Sequence, residues 1–239
     1  GLYLSNEDVT RVVPLKYNFC NRSKLWNESD SSGSLSFRIP NYRADVIFRL
    51  FHGWEQPVLI SESHKITIRV PSHPTGVRLS LTGVDKEVAV TWTSTDGQGK
   101  DAYVKYHVHD AEGRAIKRGA RVASNVTSYD RRELCGAPAN SEGFRNPGSF
   151  YTAKIGDLLE GFVVTYQVGS DLAWSKMFSF RAPPTRGSRV KFFAFGDLGE
   201  HPLDDSAQGQ GEPWFSQRYA YGDPGALSTI TAMWHDHQS

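Results

Sequence analysis

The chain has 239 residues, 38% hydrophobic, 22% charged and 12% aromatic, a balance that excludes wholesale disorder and suffices for two compact domains or one large one. Its 27 Lys and Arg against 26 Asp and Glu leave a formal net charge of +1, so no basic surplus exists to grip a nucleic-acid backbone or an anionic membrane. The apolar runs are strand-sized, far short of the roughly 20 residues of a membrane span.

Strand periodicity governs the first three quarters of the chain. Gly33–Ile39 sets Leu35, Phe37 and Ile39 on one face and Ser34, Ser36 and Arg38 on the other, until Pro40 closes the pattern. Asp45–Phe51 and Lys65–Val70 also read as strands. Pro71-Ser72-His73-Pro74 then favours an extended connection, which bounds a first β-sandwich domain at residues 1–72. In the second domain, residues 73–183, Gly76–Leu81 is one strand candidate and Glu87–Thr93 a stronger one, with Val88, Val90 and Trp92 on a single face. Ala102–Val108 follows the turn cluster Thr95–Gly99, and Phe162–Val168 pairs with Trp174–Phe180 around Gly169-Ser170-Asp171. Short strands, Gly-rich turns and an early Trp predict an immunoglobulin-like or fibronectin-type sandwich. Tyr166 precedes Val168 where an antibody-type domain has its second Cys, which favours the fibronectin type III-like form. Trp92 and Trp174 read as sandwich core.

Arg181–Ser188 reads as a linker, after which the character changes. Arg189–Phe195 ends in a continuous apolar run, the pattern of a strand buried on both faces of a parallel sheet, and leads into Gly196-Asp197-Leu198-Gly199. Leu227, Ile230 and Trp234 are spaced for one helix face, so residues 184–239 predict the first β-α unit of an α/β domain. Such a unit needs partner strands from elsewhere. A carboxylate just past the end of a parallel strand stands where open α/β sheets place ligands, and a hard cation favours its oxygen donors. Asp197 is therefore a candidate metal ligand, with a plain Asp-containing turn as the alternative.

These segments together resemble the purple acid phosphatase family, in its large plant-type branch of metallophosphoesterases. The resemblance rests on Pro14-Leu15-Lys16-Tyr17 with Asn18, Tyr42–Phe48, Val88–Ser94, Cys135-Gly136-Ala137-Pro138, Gly143–Gly148, Trp174-Ser175-Lys176, the G-D-L-G around Asp197, and Gly222–Leu227. It implies a secreted hydrolase of phosphate mono- or diesters, including nucleotide phosphodiesters, with a dinuclear centre of Fe(III) beside Zn, Mn or Fe(II). It makes Asp197 the first ferric ligand and a phosphate ester the substrate, met through a later catalytic portion. The family's next motifs, a G-D-x-x-Y, a G-N-H-[DE] and a G-H-x-H, are absent from the 239 residues. One carboxylate cannot hold two metals, so this stretch alone is not catalytically competent. The resemblance also has Gly1 entering the first β domain partway, so the chain is expected to be an N-terminal fragment of a larger protein. The contrasting expectation is a secreted β-sandwich module for adhesion or assembly, derived from the same family and without catalysis. A homo-oligomer or a larger extracellular assembly fits either.

Three sequons, at Asn21, Asn27 and Asn125, point to a secreted glycoprotein, with Asn125 in the most exposed-looking context. Cys20 and Cys135 allow one disulfide, and the residues leave open pairing with each other, free thiols, pairing with another chain or with a Cys elsewhere. His107 and His109 share a strand face that could pinch a metal, although an exposed face explains them as well. His201, Asp204 and Asp205 could edge a site at Asp197 but read as a solvated loop, and His235-Asp236-His237 reads as an exposed helix end.

Overall fold

A computed structural model describes residues 1–194 except Lys24, Arg38, Trp54 and 96–101, together with Thr231, Met233 and His235; of Arg22 it describes the backbone. The chain forms two compact units. One comprises Gly1–Pro40 and Asp45–Thr67 with the tail from Lys191, and the other comprises Asn41–Ala44 and Ile68–Val190.

The first unit is built on one three-stranded antiparallel sheet in the order β1 (Leu2–Leu4), β2 (Val46–His52) and β3 (Val58–Glu62). Tyr3 lies opposite Ile47 and Leu4 opposite Val46, and Leu2, Tyr3, Val46 and Ile47 are buried. Leu35, Phe37 and Ile39 are half-buried while Ser34 and Ser36 are exposed, so the expected alternation faces the right way. The Phe37 ring packs 5.4 Å from that of Phe48. The segment has no ladder partner, however, and is not a strand. Lys65–Val70 is likewise reduced to a single bridge, Ile66 against Val46. The ladders among the described residues of this unit form a single three-stranded sheet.

The second unit is a sandwich of two antiparallel sheets. One runs β4 (Thr75–Leu81), β5 (Val88–Ser94), β9 (Ser149–Ile155), β8 (Asn125–Thr127). The other runs β11 (Ala173–Trp174), β10 (Val163–Ser170), β6 (Tyr103–His109), β7 (Ala115–Ala123), with β12 (Phe178–Arg181) also on β10. The period-2 pattern places Val88, Val90 and Trp92 inward from β5, and Val104, Tyr106 and Val108 inward from β6. Tyr151 and Ile155 from β9 and Val164, Tyr166 and Val168 from β10 complete the core. Trp92 stacks on Tyr151 at 5.5 Å and 13° between planes, the offset contact that aromatic rings favour. Tyr166 sits between Phe178 and Phe180, at 5.5 and 5.7 Å.

Two features bind the sandwich at one end. Gly148 adopts φ +81°, and a Cβ there would collide with the Ser94 carbonyl oxygen, so the turn into β9 requires glycine. Asn41 donates to the Val70 and Pro71 carbonyls, and the Arg43 guanidinium donates to Thr75 Oγ1 at 2.6 Å. This ties Asn41–Ala44 to the unit that begins again at Ile68.

The expected β-α unit is overturned. The described chain is essentially all-β; within residues 1–194 its described helical elements are two three-residue 3-10 turns, Cys20–Arg22 and Arg131–Glu133, and beyond them helical backbone is described at Thr231, Met233 and His235. Arg189–Ala194 forms no strand, with Phe192 81% and Phe193 48% exposed. A strand apolar on both faces is stable only between partner strands and covering layers, and the described residues supply neither.

Candidate functional site

Asp197, the residue on which the metal reading turns, lies outside the described residues, as do His201, Asp204, Asp205, Asp236 and His237. Of that last triplet only His235 is described; it has helical backbone and is exposed. Among the described residues no three His, Cys, Asp or Glu side chains converge closely enough to hold a metal ion. These β domains therefore do not fit a dinuclear centre.

The segment leading towards Asp197 is nevertheless held in place. Glu160 Oε2 accepts from the Thr185 backbone N–H at 3.0 Å, from Thr185 Oγ1 at 2.8 Å and from Ser188 Oγ at 3.3 Å. The Thr185 backbone hydrogen bond, followed by its hydroxyl, keeps the Glu160 carboxyl below the usual carboxylate range. Arg186 N–H reaches Asp85 Oδ1 at 3.2 Å, and Ala182 is buried against the sandwich core. The expected linker is thus a clipped strap, and acceptor side chains from two loops do the clipping. Nothing in its Pro- and Gly-rich composition signals this, because the partners Glu160 and Asp85 lie 25 and 101 residues away.

His107 and His109 do point to one face of β6, yet among the described residues they gather no third ligand. His107 Nδ1 accepts the Gly119 backbone N–H at 3.3 Å. Trp92 is core as expected, 1% exposed, and its indole N–H has no acceptor among the described residues. Trp174 is not. It is half-buried on the outward side of the sheet, with the Lys105 ammonium 3.6 Å over its ring. Periodicity cannot reveal this, because a two-residue strand has no alternation to read.

Cys20 is half-buried and Cys135 exposed, and both are free thiols. Cys135 follows the Arg131–Glu133 turn, whose capping box is complete. Asp130 accepts from the Arg132 backbone N–H at 2.8 Å, and Glu133 accepts from the Asp130 N–H at 2.7 Å. The Arg132 side chain, and then its backbone, hold the Asp130 carboxyl at about 2. The three sequon asparagines are all exposed. Asn125 opens the edge strand β8, while Asn27 is engaged in an Asx turn, its Oδ1 accepting from Ser29 N–H and Oγ at 3.1 and 2.8 Å.

Comparison with known proteins matches this architecture in tandem. Residues 4–69 match the Fn3-like domain from purple acid phosphatase, and residues 74–182 match the purple acid phosphatase N-terminal domain. Among curated proteins, "Probable inactive purple acid phosphatase 24" of Arabidopsis thaliana is 33% identical over 93% of this chain and 35% of its own length. "Probable inactive purple acid phosphatase 27" of the same plant is 32% identical over 94% of this chain and 35% of its own. The chain thus spans about a third of the length of these relatives. A solved purple acid phosphatase from yellow lupin (Lupinus luteus) seeds superposes with a TM-score of 0.63 at 31% identity, over 75% of this chain and 32% of that one. On its two matched domains and its likeness to the lupin structure, the chain belongs to the purple acid phosphatase family of metallophosphoesterases, within the non-catalytic N-terminal region.

Proposed function

We propose that this chain is the β-rich, non-catalytic region of a secreted hydrolase of phosphate mono- or diesters, divided at residues 1–72, 73–183 and 184 onward. The carrying observation is the tandem match to both N-terminal domains, followed by the G-D-L-G of residues 196–199. In the whole protein, Asp197 supplies a hard oxygen donor to a dinuclear centre of Fe(III) with Zn, Mn or Fe(II), which polarises the phosphate ester and activates water when bound. The residues before it anchor the chain through Glu160 and Asp85.

A second reading draws on the word "inactive" in the names of the matched Arabidopsis proteins. On it the same β domains serve a secreted adhesion or assembly protein that no longer hydrolyses esters. Elemental analysis of the full-length protein, with hydrolysis of p-nitrophenyl phosphate and thermal unfolding, separates the two. The hydrolase reading expects about two metal ions per chain. It also expects Asp197→Asn to lower iron and activity together while the unfolding of the β domains is unchanged. Metal-free, inactive wild type removes it in favour of the second reading. Unchanged iron and activity in Asp197→Asn removes Asp197 as a ligand.

A further inference from the structure

The outward face of the sheet formed by β6, β7, β10, β11 and β12 is basic, although the chain as a whole is nearly neutral. None of its five strands contains an Asp or Glu. Lys105, His107 and His109 recur at every second position of β6, on the side opposite the buried Val104, Tyr106 and Val108. Residues two apart on a strand stand roughly 7 Å apart, so one ammonium and two imidazoles line up along β6, the His107 ring accepting the Gly119 N–H. Lys105 lies opposite Arg121 of β7 in the ladder, and the register leaves Arg118 and Gly119 facing His107. Arg181 extends the row from β12, opposite Val163, which in turn pairs with His109.

Like charges placed directly across a ladder destabilise a sheet, and an ordinary solvated face relieves them with carboxylates. Here it does not. Among the described residues no carboxylate forms an ion pair with Lys105, Arg118, Arg121 or Arg181, whereas Arg114 and Lys154 elsewhere in the sandwich are each paired. Aromatic rings take part of the load instead, Trp174 beneath Lys105 at 3.6 Å and Tyr103 beneath Arg121 at 5.9 Å. The cations are interleaved with neutral hydrogen-bonding groups: Gln167 lies opposite Lys105, Thr165 opposite His107, and Ser179 opposite Thr165.

We infer that this face docks a linear carboxylated polysaccharide. Such a chain repeats a carboxylate and several hydroxyls on every sugar unit, which matches the cations Lys105, Arg118, Arg121 and Arg181, spread over neighbouring strands and set among hydroxyl and imidazole side chains. Single-stranded nucleic acid is less well served, because its sequence-tolerant binding uses free aromatic platforms, and here cations already cover Tyr103 and Trp174. A second copy of the same face is excluded by like charge. The inference stands independently of whether the whole protein hydrolyses esters.

Binding of the full-length protein to polygalacturonate at low salt tests it, with fully methyl-esterified polygalacturonate and an oligo(dT) strand as comparison probes. Wild type is expected to bind the charged polymer, to lose it as salt rises, and to ignore the esterified one. Arg118→Gln with Arg121→Gln is expected to weaken binding roughly tenfold, at about threefold per exposed charge. Arg121→Lys keeps the charge and is expected to bind as wild type. Arg78→Gln removes one charge from the opposite sheet and is also expected to leave binding intact. Thermal unfolding checks the double variant; should it unfold, Arg118→Gln alone, at an exposed position, carries the test. Failure of wild type to bind polygalacturonate, equal loss in Arg78→Gln, equal binding of the esterified polymer, or tighter binding of oligo(dT) each overturns the inference.

Discussion

Replacing Trp92 by alanine removes the largest fully buried side chain among the described residues and leaves Tyr151 facing a void. Truncations of this kind cost about 3–5 kcal/mol, a large share of the roughly 5–15 kcal/mol that holds a domain folded. At a urea slope of about 1.5 kcal/mol per molar, the unfolding midpoint falls by roughly 2–3 M. Phenylalanine is the informative contrast. It keeps a ring over Tyr151 and loses roughly 40 Å³, or about 1 kcal/mol at the usual cavity cost. It also removes the indole N–H, which is buried without an acceptor and so carries a desolvation cost of about 1–3 kcal/mol in the wild type. The two effects offset, so Trp92→Phe is expected to lie within about 1 kcal/mol of wild type, a midpoint shift under roughly 0.7 M. Urea unfolding of the three proteins, followed by far-ultraviolet circular dichroism, makes the comparison. A Trp92→Phe protein as unstable as Trp92→Ala would mean that the N–H has a partner and that the reasoning is wrong.

Two further outcomes follow from the surface. The Asp130 carboxyl titrates near 2, held down first by the Arg132 side chain, and an NMR titration of Arg132→Gln should bring it back towards the ordinary 3.8. Because the folded value is the lower one, what this carboxylate contributes to stability is complete above the unfolded value and disappears as pH falls through about 2. Mass spectrometry of protein from its natural secretory source should find a glycan on at least one of Asn21, Asn27 and Asn125, and Asn125→Gln should remove one glycan mass. Unmodified asparagine at all three would count against secretion.

What the sequence made legible follows contrast between strand faces. In β5, β6 and β10 the inward residues are Val, Trp or Tyr and the outward ones are mostly polar, so period 2 is plain. Strand β7 reads Ala-Ile-Lys-Arg-Gly-Ala-Arg-Val-Ala and was hidden, because its register shifts against β6 and small residues blur the alternation. Val58–Glu62 was hidden for another reason: all five residues are exposed, so no face was marked by burial. Residues 189–194 erred in the opposite direction, since an apolar run announces burial without saying what must cover it. The family was legible through short motifs spread along the chain. The clipped strap at Thr185 and the basic sheet face were not, for both arise from residues that only the fold brings together.

The stacked pair of Trp92 and Tyr151 has a consequence for the order in which this protein can fold. Strands β5 and β9 join residues 61 positions apart, as at Thr91 and Thr152, so the centre of one sheet closes late. Loop closure over such a span makes sandwich folding slow relative to local hairpins. During synthesis at about 5–20 residues per second, β5 waits roughly 3–12 s for its partner. Its sequence, Val-Ala-Val-Thr-Trp-Thr-Ser, carries no charge and is rich in β-formers, the profile of a segment prone to pair with the wrong strand. The hairpin with β4 covers one edge of it early, through pairs such as Leu79 with Val90 and Leu81 with Val88. The other edge stays open until Ser149–Ile155 has been made.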